Sequence, residues 1–362
     1  MLEKQRILIV DDVPENIQVL LSTLKNDFAI LVATSGEKAI DLAFKEPQPD
    51  LILLDIMMPV MDGYEVCRIL KADDKTKKIP IIFVTALTGS DDEAIGLHLG
   101  AVDYITKPIN PDLVKARITN HLELKRHRDN LEELVNERTL ELKLAKEATI
   151  EAMGIVAENR DPETGGHIQR TKNYMLILAK TLALNPKYTD ILTEDMIETL
   201  YSSAPLHDIG KVAISDRILL KPAKLESNEF DIMKQHASIG ENTIDTAQNR
   251  IGKNEFLDIA KQMAASHHEK YDGTGYPRGL SGDKIPLCGR LMALADVYDA
   301  LISRRTYKAP ISHSKVVDII KNERAKHFDP DVVDAFLNSS EEFREVAIEF
   351  VQSDEELELL KK

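Results

Sequence analysis

Cysteine is nearly absent: Cys67 and Cys288 are the only two in 362 residues. They stand far apart and outside any metal-type spacing, which excludes a disulfide framework and a thiolate metal site and fits a reducing cytoplasm. Long apolar runs are missing as well. No window approaches the roughly 18 to 20 apolar residues of a membrane span, so a soluble chain with no membrane partner is expected. Met1-Leu2-Glu3-Lys4-Gln5-Arg6 leads straight into a β-type run, and export is not expected. Basic charge is in deficit, with 46 Lys and Arg against 61 Asp and Glu and a formal charge of −15. That balance argues against coating nucleic acid or anionic membrane by bulk attraction. Direct DNA binding is therefore not expected, and a phosphate-bearing substrate has to be drawn in locally.

What is present is globular: 43% hydrophobic and 30% charged residues supply sizeable cores and exclude a mainly disordered chain. At about 150 residues per domain, the length points to two domains plus connecting material. Residues 1–120 alternate amphipathic stretches with short runs apolar on both faces: Ile7–Val10, Ala29–Ala33, Leu51–Leu54, Ile81–Val84 and Val102–Ile105. This predicts an α/β doubly wound domain with a five-stranded parallel sheet, whose chemistry gathers at the carboxyl ends of the strands. Residues 121–150 contain neither Gly nor Pro, and Leu124, Leu131, Arg138 and Ala145 recur every seven residues. Leu134, Leu142 and Thr149 fall near the complementary seam, so a linker helix with coiled-coil tendency is predicted, a solvated single helix being the other reading. Residues 151–345 repeat a 3.6-residue pattern, as in Tyr174–Leu184, Ile191–Tyr201, Leu291–Ile302 and Val316–Lys321, and predict an all-α domain. Residues 346–362 form an acidic helix or tail.

The predicted strand ends carry Asp11 and Asp12, then Asp55, then Thr85 and Lys107. Three carboxylates there suit a hard cation such as Mg2+, which would make Asp55 a candidate phosphoryl acceptor. Thr85 and Lys107 would offer a hydroxyl and an ammonium to the phosphoryl oxygens. Any one of the three carboxylates alone reads more readily as a capping or turn carboxylate. Together, Val10-Asp11-Asp12, Leu54-Asp55-Ile56-Met57-Met58-Pro59, Met61-Asp62-Gly63, Thr85-Ala86 and Thr106-Lys107-Pro108 make residues 5–120 resemble the receiver domain of bacterial response regulators. The resemblance implies phosphorylation at Asp55 by a cognate histidine kinase, a Mg2+ site at Asp11, Asp12 and Asp55, and a switch of Thr85, Tyr104 and Lys107. Tyr104 also reads as a half-buried strand tyrosine.

The helical region carries His167, His207-Asp208, His236, His267-His268 and Asp296, imidazoles and carboxylates that suit Fe, Mn, Co, Ni or Zn. Their wide spacing is that of ligands on different helices converging inside a bundle. Asp208 has two oxygens and could bridge two metals. The His267-His268 doublet cannot put both rings on one helical face, so it implies a helix end or two metals. The glycine-rich stretch through Gly275-Tyr276-Pro277 would admit a bulky substrate beside the ligands. Lys211, three residues after Asp208, can stabilise phosphate charge, and Arg305 and Lys308 are candidate phosphate or guanine contacts or else a solvated helix end.

Thr164 to Arg170, Leu206-His207-Asp208-Ile209-Gly210-Lys211, His267-His268-Glu269 through Gly275-Tyr276-Pro277, Ala295 to Ala300 and Arg304 to Lys308 resemble the HD-GYP phosphodiesterases, which hydrolyse cyclic di-GMP. The resemblance, over Ala152 to Phe336, implies a two-metal centre of His207, Asp208, His236, His267, His268 and Asp296 with His167 alongside. Glu163 matches a glutamate that some members use for a third metal, and iron or manganese is expected first. Ser215 and Ala223 depart from the family's usual Pro and Gly without removing a ligand. The products implied are pGpG and, after a second cut, GMP. A homodimer through receiver and linker helix would carry the phosphorylation signal. The rival readings are a non-catalytic cyclic di-GMP sensor or scaffold, whose usual mark of lost ligands is absent, and a phosphohydrolase acting on another cyclic dinucleotide.

Overall fold

The computed structural model describes residues 4–86, 90–158, 166–304, 309–351 and 354–361, the side chains of residues 90–93 excepted. It divides into two compact units, Met1–Leu140 and Glu141–Lys362.

In the first unit, strands β1 (Arg6–Val10), β2 (Ala29–Ala33), β3 (Leu51–Asp55), β4 (Ile81–Thr85) and β5 (Asp103–Thr106) form a parallel sheet in the order β2-β1-β3-β4-β5. They alternate with helices α1 (Pro14–Leu24), α2 (Gly36–Phe44), α3 (Gly63–Ala72), α4 (Ser90–His98) and α5 (Pro111–Glu158). Successive strand side chains point to opposite faces, and both faces are covered. Leu8, Val10, Ile52, Leu54 and Phe83 pack with Ala39 of α2 and Val66 and Leu70 of α3. Ile7, Ile9, Leu51, Leu53 and Val84 pack with Leu20 and Leu24 of α1 and Val114 and Ile118 of α5. Each such aliphatic side chain contributes about 1.5–3 kcal/mol by leaving water, so a charge at any of them would break a face. The strand order reverses direction between β1 and β3, which brings the ends that carry Asp11 and Asp55 side by side. Asp62 caps α3 by accepting from the Glu65 amide at 2.8 Å. A Cβ on Gly63 would stand 2.2 Å from the Asp55 carbonyl oxygen, so only glycine lets α3 start against the end of β3.

The helix predicted from His121 is the continuation of the receiver's last helix, since α5 is unbroken from Pro111 to Glu158. Its beginning is buried through Val114, Ile118 and Leu122, whereas Leu131 is 61% exposed and Leu142 71%.

The second unit is helical, as its periodicity predicts: α6 (His167–Ala183), α7 (Glu194–Ser203), α8 (Asp216–Leu219), α9 (Ser227–Met233), α10 (Gln235–Ile251), α11 (Glu255–Ser266), α12 (Leu287–Ile302), α13 (His313–Asn322), α14 (Pro330–Glu349) and α15 (Asp354–Leu360). Helix α7 starts at Glu194 rather than Ile191 because the Thr193 hydroxyl accepts from the Met196 amide at 3.3 Å and ends the preceding loop. The core joins Tyr174 and Leu178 of α6, Leu291 and Tyr298 of α12, and Phe336 and Phe343 of α14. Tyr174 and Phe343 stack with ring centres 4.5 Å apart. The acidic end of the chain is helical in α15, tied down by the buried Leu360. Among the described residues, no helix is long and apolar enough to cross a membrane.

Candidate functional site

The candidate histidine ligands of the helical unit and Asp208 sit where elements begin or end, whereas Asp296 lies inside α12. His167 opens α6, His236 lies in the first turn of α10, and His267-His268 follow immediately on the end of α11. The doublet is thus at a helix end, and there both rings turn toward the same place. His207-Asp208 lie between two short 3₁₀ turns, Ala204–Leu206 and Ile209–Ala213. The second turn lies so close to α10 that a Cβ on Gly210 would stand 2.0 Å from the His236 carbonyl oxygen, which explains the glycine two residues after Asp208.

These side chains converge. Asp208 Oδ1 is 3.3 Å from His236 Nε2 and 3.5 Å from His267 Nε2, and Asp208 Oδ2 is 3.4 Å from His207 Nε2. Asp208, His236, His267 and His268 offer donor atoms within 4.8 Å of one another, as do His167, His207 and Asp208, so Asp208 belongs to both sets. Asp296 Oδ1 approaches His167 Nε2 at 3.8 Å.

The tautomers follow from the backbone. Nδ1 of His207 meets the Ala204 carbonyl at 2.9 Å, Nδ1 of His236 the Met233 carbonyl at 2.7 Å, and Nδ1 of His267 the Met263 carbonyl at 3.1 Å. A carbonyl only accepts, so each Nδ1 is the protonated nitrogen and, in the neutral ring, Nε2 keeps its lone pair. Nε2 of His207, His236 and His267 and Oδ1 of Asp208 are buried with no hydrogen-bond partner among the described residues. Leaving acceptors buried and unsatisfied is costly, and several facing one another are explained by a cation that they share. The donor set of imidazole and carboxylate fits a divalent metal.

Electrostatics agree with that fit. Burial opposes charge on Asp208, but Lys211, with Nζ at 2.9 Å, and His207 outweigh it and hold the carboxyl well below the usual carboxylate range. Burial pushes the His236 imidazole down to about 4 and takes His268 well below its ordinary value, with His267 adding to the effect on His268. Both rings are therefore neutral at physiological pH, the form that ligates.

Two residues gain a place that sequence reasoning did not give them. Asp299 Oδ2 accepts from His167 Nδ1 at 2.8 Å, and the same carboxylate accepts from Arg170 Nε at 2.6 Å and Nη2 at 2.8 Å. Burial would raise the Asp299 carboxyl, but Arg170 and His167 hold it far below the usual range. The signal was spacing: Asp299 follows Asp296, and Arg170 follows His167, by one helical turn. Glu269 also matters locally. Its two oxygens accept from the amides of Arg278 at 2.7 Å and Leu280 at 3.0 Å, closing the loop that carries Gly275-Tyr276-Pro277. The Tyr276 amide donates to the His268 carbonyl at 3.2 Å, and its ring centre lies 4.7 Å from that of His268. Glu163, Arg305 and Lys308 lie outside the described residues.

At the carboxyl edge of the sheet, Asp11, Asp12 and Asp55 offer oxygens within 4.8 Å of one another. Lys107 Nζ bridges Asp11 Oδ2 and Asp55 Oδ1 at 2.9 Å each. Burial raises the Asp55 carboxyl despite the Lys107 hydrogen bond. Thr85 is buried at the end of β4, and its carbonyl accepts from the Lys107 amide at 2.8 Å. Tyr104 is half-buried on β5, with the Arg117 guanidinium 5.7 Å from its ring centre.

Comparison with known proteins places both units. Residues 7–119 match the response regulator receiver domain and residues 151–332 the HD domain, a domain that implies divalent metal binding. A probable cyclic di-GMP phosphodiesterase of Vibrio cholerae serotype O1 is 47% identical over 97% of this chain and 80% of its own. The cyclic di-GMP phosphodiesterase response regulator RpfG of Xanthomonas campestris pv. campestris is 33% identical, over 95% of this chain and 90% of its own. A cyclic di-GMP phosphodiesterase of Thermotoga maritima is 34% identical, over 94% and 92% respectively. Two matched domains in this order, with relatives aligned across nearly the whole length, mean that the chain belongs to the response regulators that join a receiver to an HD domain.

Proposed function

We propose that this chain is a metal-dependent phosphodiesterase that hydrolyses cyclic di-GMP under the control of phosphorylation at Asp55. The observation that carries the reading is the pair of donor sets sharing Asp208, lined by buried nitrogens whose lone pairs face inward. His207, Asp208, His236, His267, His268 and Asp296 would hold two divalent ions with His167 alongside, Glu163 a third, with iron or manganese expected first. Bound there, such ions polarise a phosphodiester and supply a nucleophile at neutral pH.

The chain's own residues do the rest. Asp208 stays ionised between the two ligand sets. Lys211, anchored on Asp208 at 2.9 Å, sets a positive charge where negative charge develops on phosphate oxygens. Asp299 keeps the Nδ1 proton on His167, so the Nε2 edge is the one offered to the site. Gly275, Tyr276 and Pro277 form the near wall for the substrate, with Arg305 and Lys308 as further contacts to phosphate or guanine. The product is pGpG and, where the second bond is also cut, GMP.

In the receiver, Asp11, Asp12 and Asp55 hold Mg2+, Asp55 takes the phosphoryl group from a cognate histidine kinase, and Lys107, Thr85 and Tyr104 respond to it. A homodimer through the receiver and α5 carries the change onward, with functional limits at 1–120, 121–150, 151–345 and 346–362. Measuring cyclic di-GMP hydrolysis by Asp208→Asn tests the assignment: turnover should fall to background, and a normal rate would defeat it. Turnover of cyclic GMP-AMP beside cyclic di-GMP measures the substrate preference.

A further inference from the structure

Helix α9 buries none of its residues, and its Phe230 is 44% exposed. An aromatic ring left that open is not serving the core, whose aromatic members Tyr174, Tyr188, Tyr298, Phe328, Phe336 and Phe343 lie elsewhere in the unit. Yet Phe230 is held in place. The Glu229 carboxylate accepts from the Glu226 amide at 2.8 Å and pairs with Lys221 at 2.5 Å, and the Glu226 carbonyl accepts from the Phe230 amide at 2.8 Å.

The position of this ring is specific. Phe230 meets Tyr276 edge-on, with centres 6.2 Å apart and planes at 80°. Tyr276 lies 4.7 Å from His268 at 31° and 6.4 Å from His236. A continuous row of rings thus runs from the candidate metal ligands out to solvent and ends at Phe230. Lys234 Nζ, which donates to Asp231 Oδ1 at 2.8 Å, accompanies the row, 4.9 Å from the Phe230 centre and 6.0 Å from the Tyr276 centre. The contact with Tyr276 is edge-on, and the exposed 44% of Phe230 remains for a partner.

Resting on the reading of the cluster as a cyclic dinucleotide phosphodiesterase, we infer that Phe230, with Lys234 beside it, is a nucleobase platform that stacks one guanine of the substrate while its phosphate occupies the metal cluster. A cyclic dinucleotide carries flat purines next to anionic phosphates. A solvent-facing ring beside an ammonium recognises that combination, because every base has a π-face and the cation answers the phosphate. The platform acts through affinity and touches no reacting atom.

The test uses the full metal-loaded chain with Phe230→Ala and Phe230→Trp. Phe230→Ala should raise KM for cyclic di-GMP about tenfold, change kcat by less than about twofold, and leave metal content unaltered. Phe230→Trp should restore KM. Because the chain contains no tryptophan, this variant also carries a single tryptophan, whose selectively excited emission cyclic di-GMP should quench and inorganic phosphate should not. An unchanged KM in Phe230→Ala, or tryptophan emission indifferent to cyclic di-GMP, overturns the platform while leaving an active wild type's enzymatic reading intact. A wild type that does not hydrolyse cyclic di-GMP removes the enzymatic reading and the platform with it.

Discussion

Asp299 shows what a single side chain does for this site. Its carboxylate holds the Nδ1 proton of His167 and is itself locked by two guanidinium hydrogen bonds from Arg170. Partners of this kind fix ligand orientation, and removing one typically costs 10- to 100-fold in metal affinity or activity. Asp299→Asn should weaken divalent metal binding by about that range in direct metal titration. Wild-type metal affinity would count against the role. His327 gives a pH prediction at a residue that is not itself a candidate ligand. Burial, then Lys270, pushes its imidazole from 6.5 down to about 4 in the folded chain. The unfolded chain therefore binds a proton that the folded chain refuses, and the stability His327 contributes above pH 6.5 is lost as pH falls toward about 4. Denaturant midpoints at those two pH values should drop less in His327→Phe than in wild type, and equal drops would refute the assignment. At this scale the doublets His207-Asp208 and His267-His268 were legible because adjacency in the chain is itself the signal. The link from His167 to Asp299 spans 132 positions; the one-turn spacing of Asp299 after Asp296 hints at it, but which imidazole nitrogen meets the carboxylate does not follow from spacing.

The central strands were legible as elements because both of their faces are buried, so β1 and β3 read as uninterrupted apolar runs from Ile7 to Val10 and from Leu51 to Leu54. The start of α7 was misplaced because apolar spacing continues to Ile191, whereas the hydroxyl of Thr193 decides where the backbone turns helical. The start of the linker helix was obscured for the opposite reason. The segment that covers the sheet and the segment beyond it share one hydrogen-bonded helix, and only the composition changes at His121. Along α5 the apolar Leu131 and Leu142 remain largely exposed, which suits burial against a second copy of the same helix. The proposed homodimer should appear as a dimeric wild type in sedimentation velocity and as monomers in Leu131→Asp with Leu142→Asp, while the receiver and HD domains stay folded. A dimer unaffected by both charges would rule out this interface.

For the whole molecule, an acidic chain acting on an anionic dinucleotide requires local cations to override the global field of a net charge of −15. Joining a receiver to an HD domain provides control only if the two states of the receiver differ in their effect on the metal centre. Adding an acyl-phosphate mimic that occupies Asp55 should change cyclic di-GMP turnover by about fivefold or more, and identical rates with and without it would show that the units are uncoupled. The central claim is simpler and can be tested alone: imidazoles and carboxylates brought together from α6, α10, α12, the end of α11 and the link between two 3₁₀ turns hold the ions that break the phosphodiester. Cyclic di-GMP turnover by the anaerobically purified full chain, measured before and after chelation, tests it most directly. The account predicts turnover that disappears on chelation and returns with Fe2+ or Mn2+; turnover that survives complete removal of metal would contradict it.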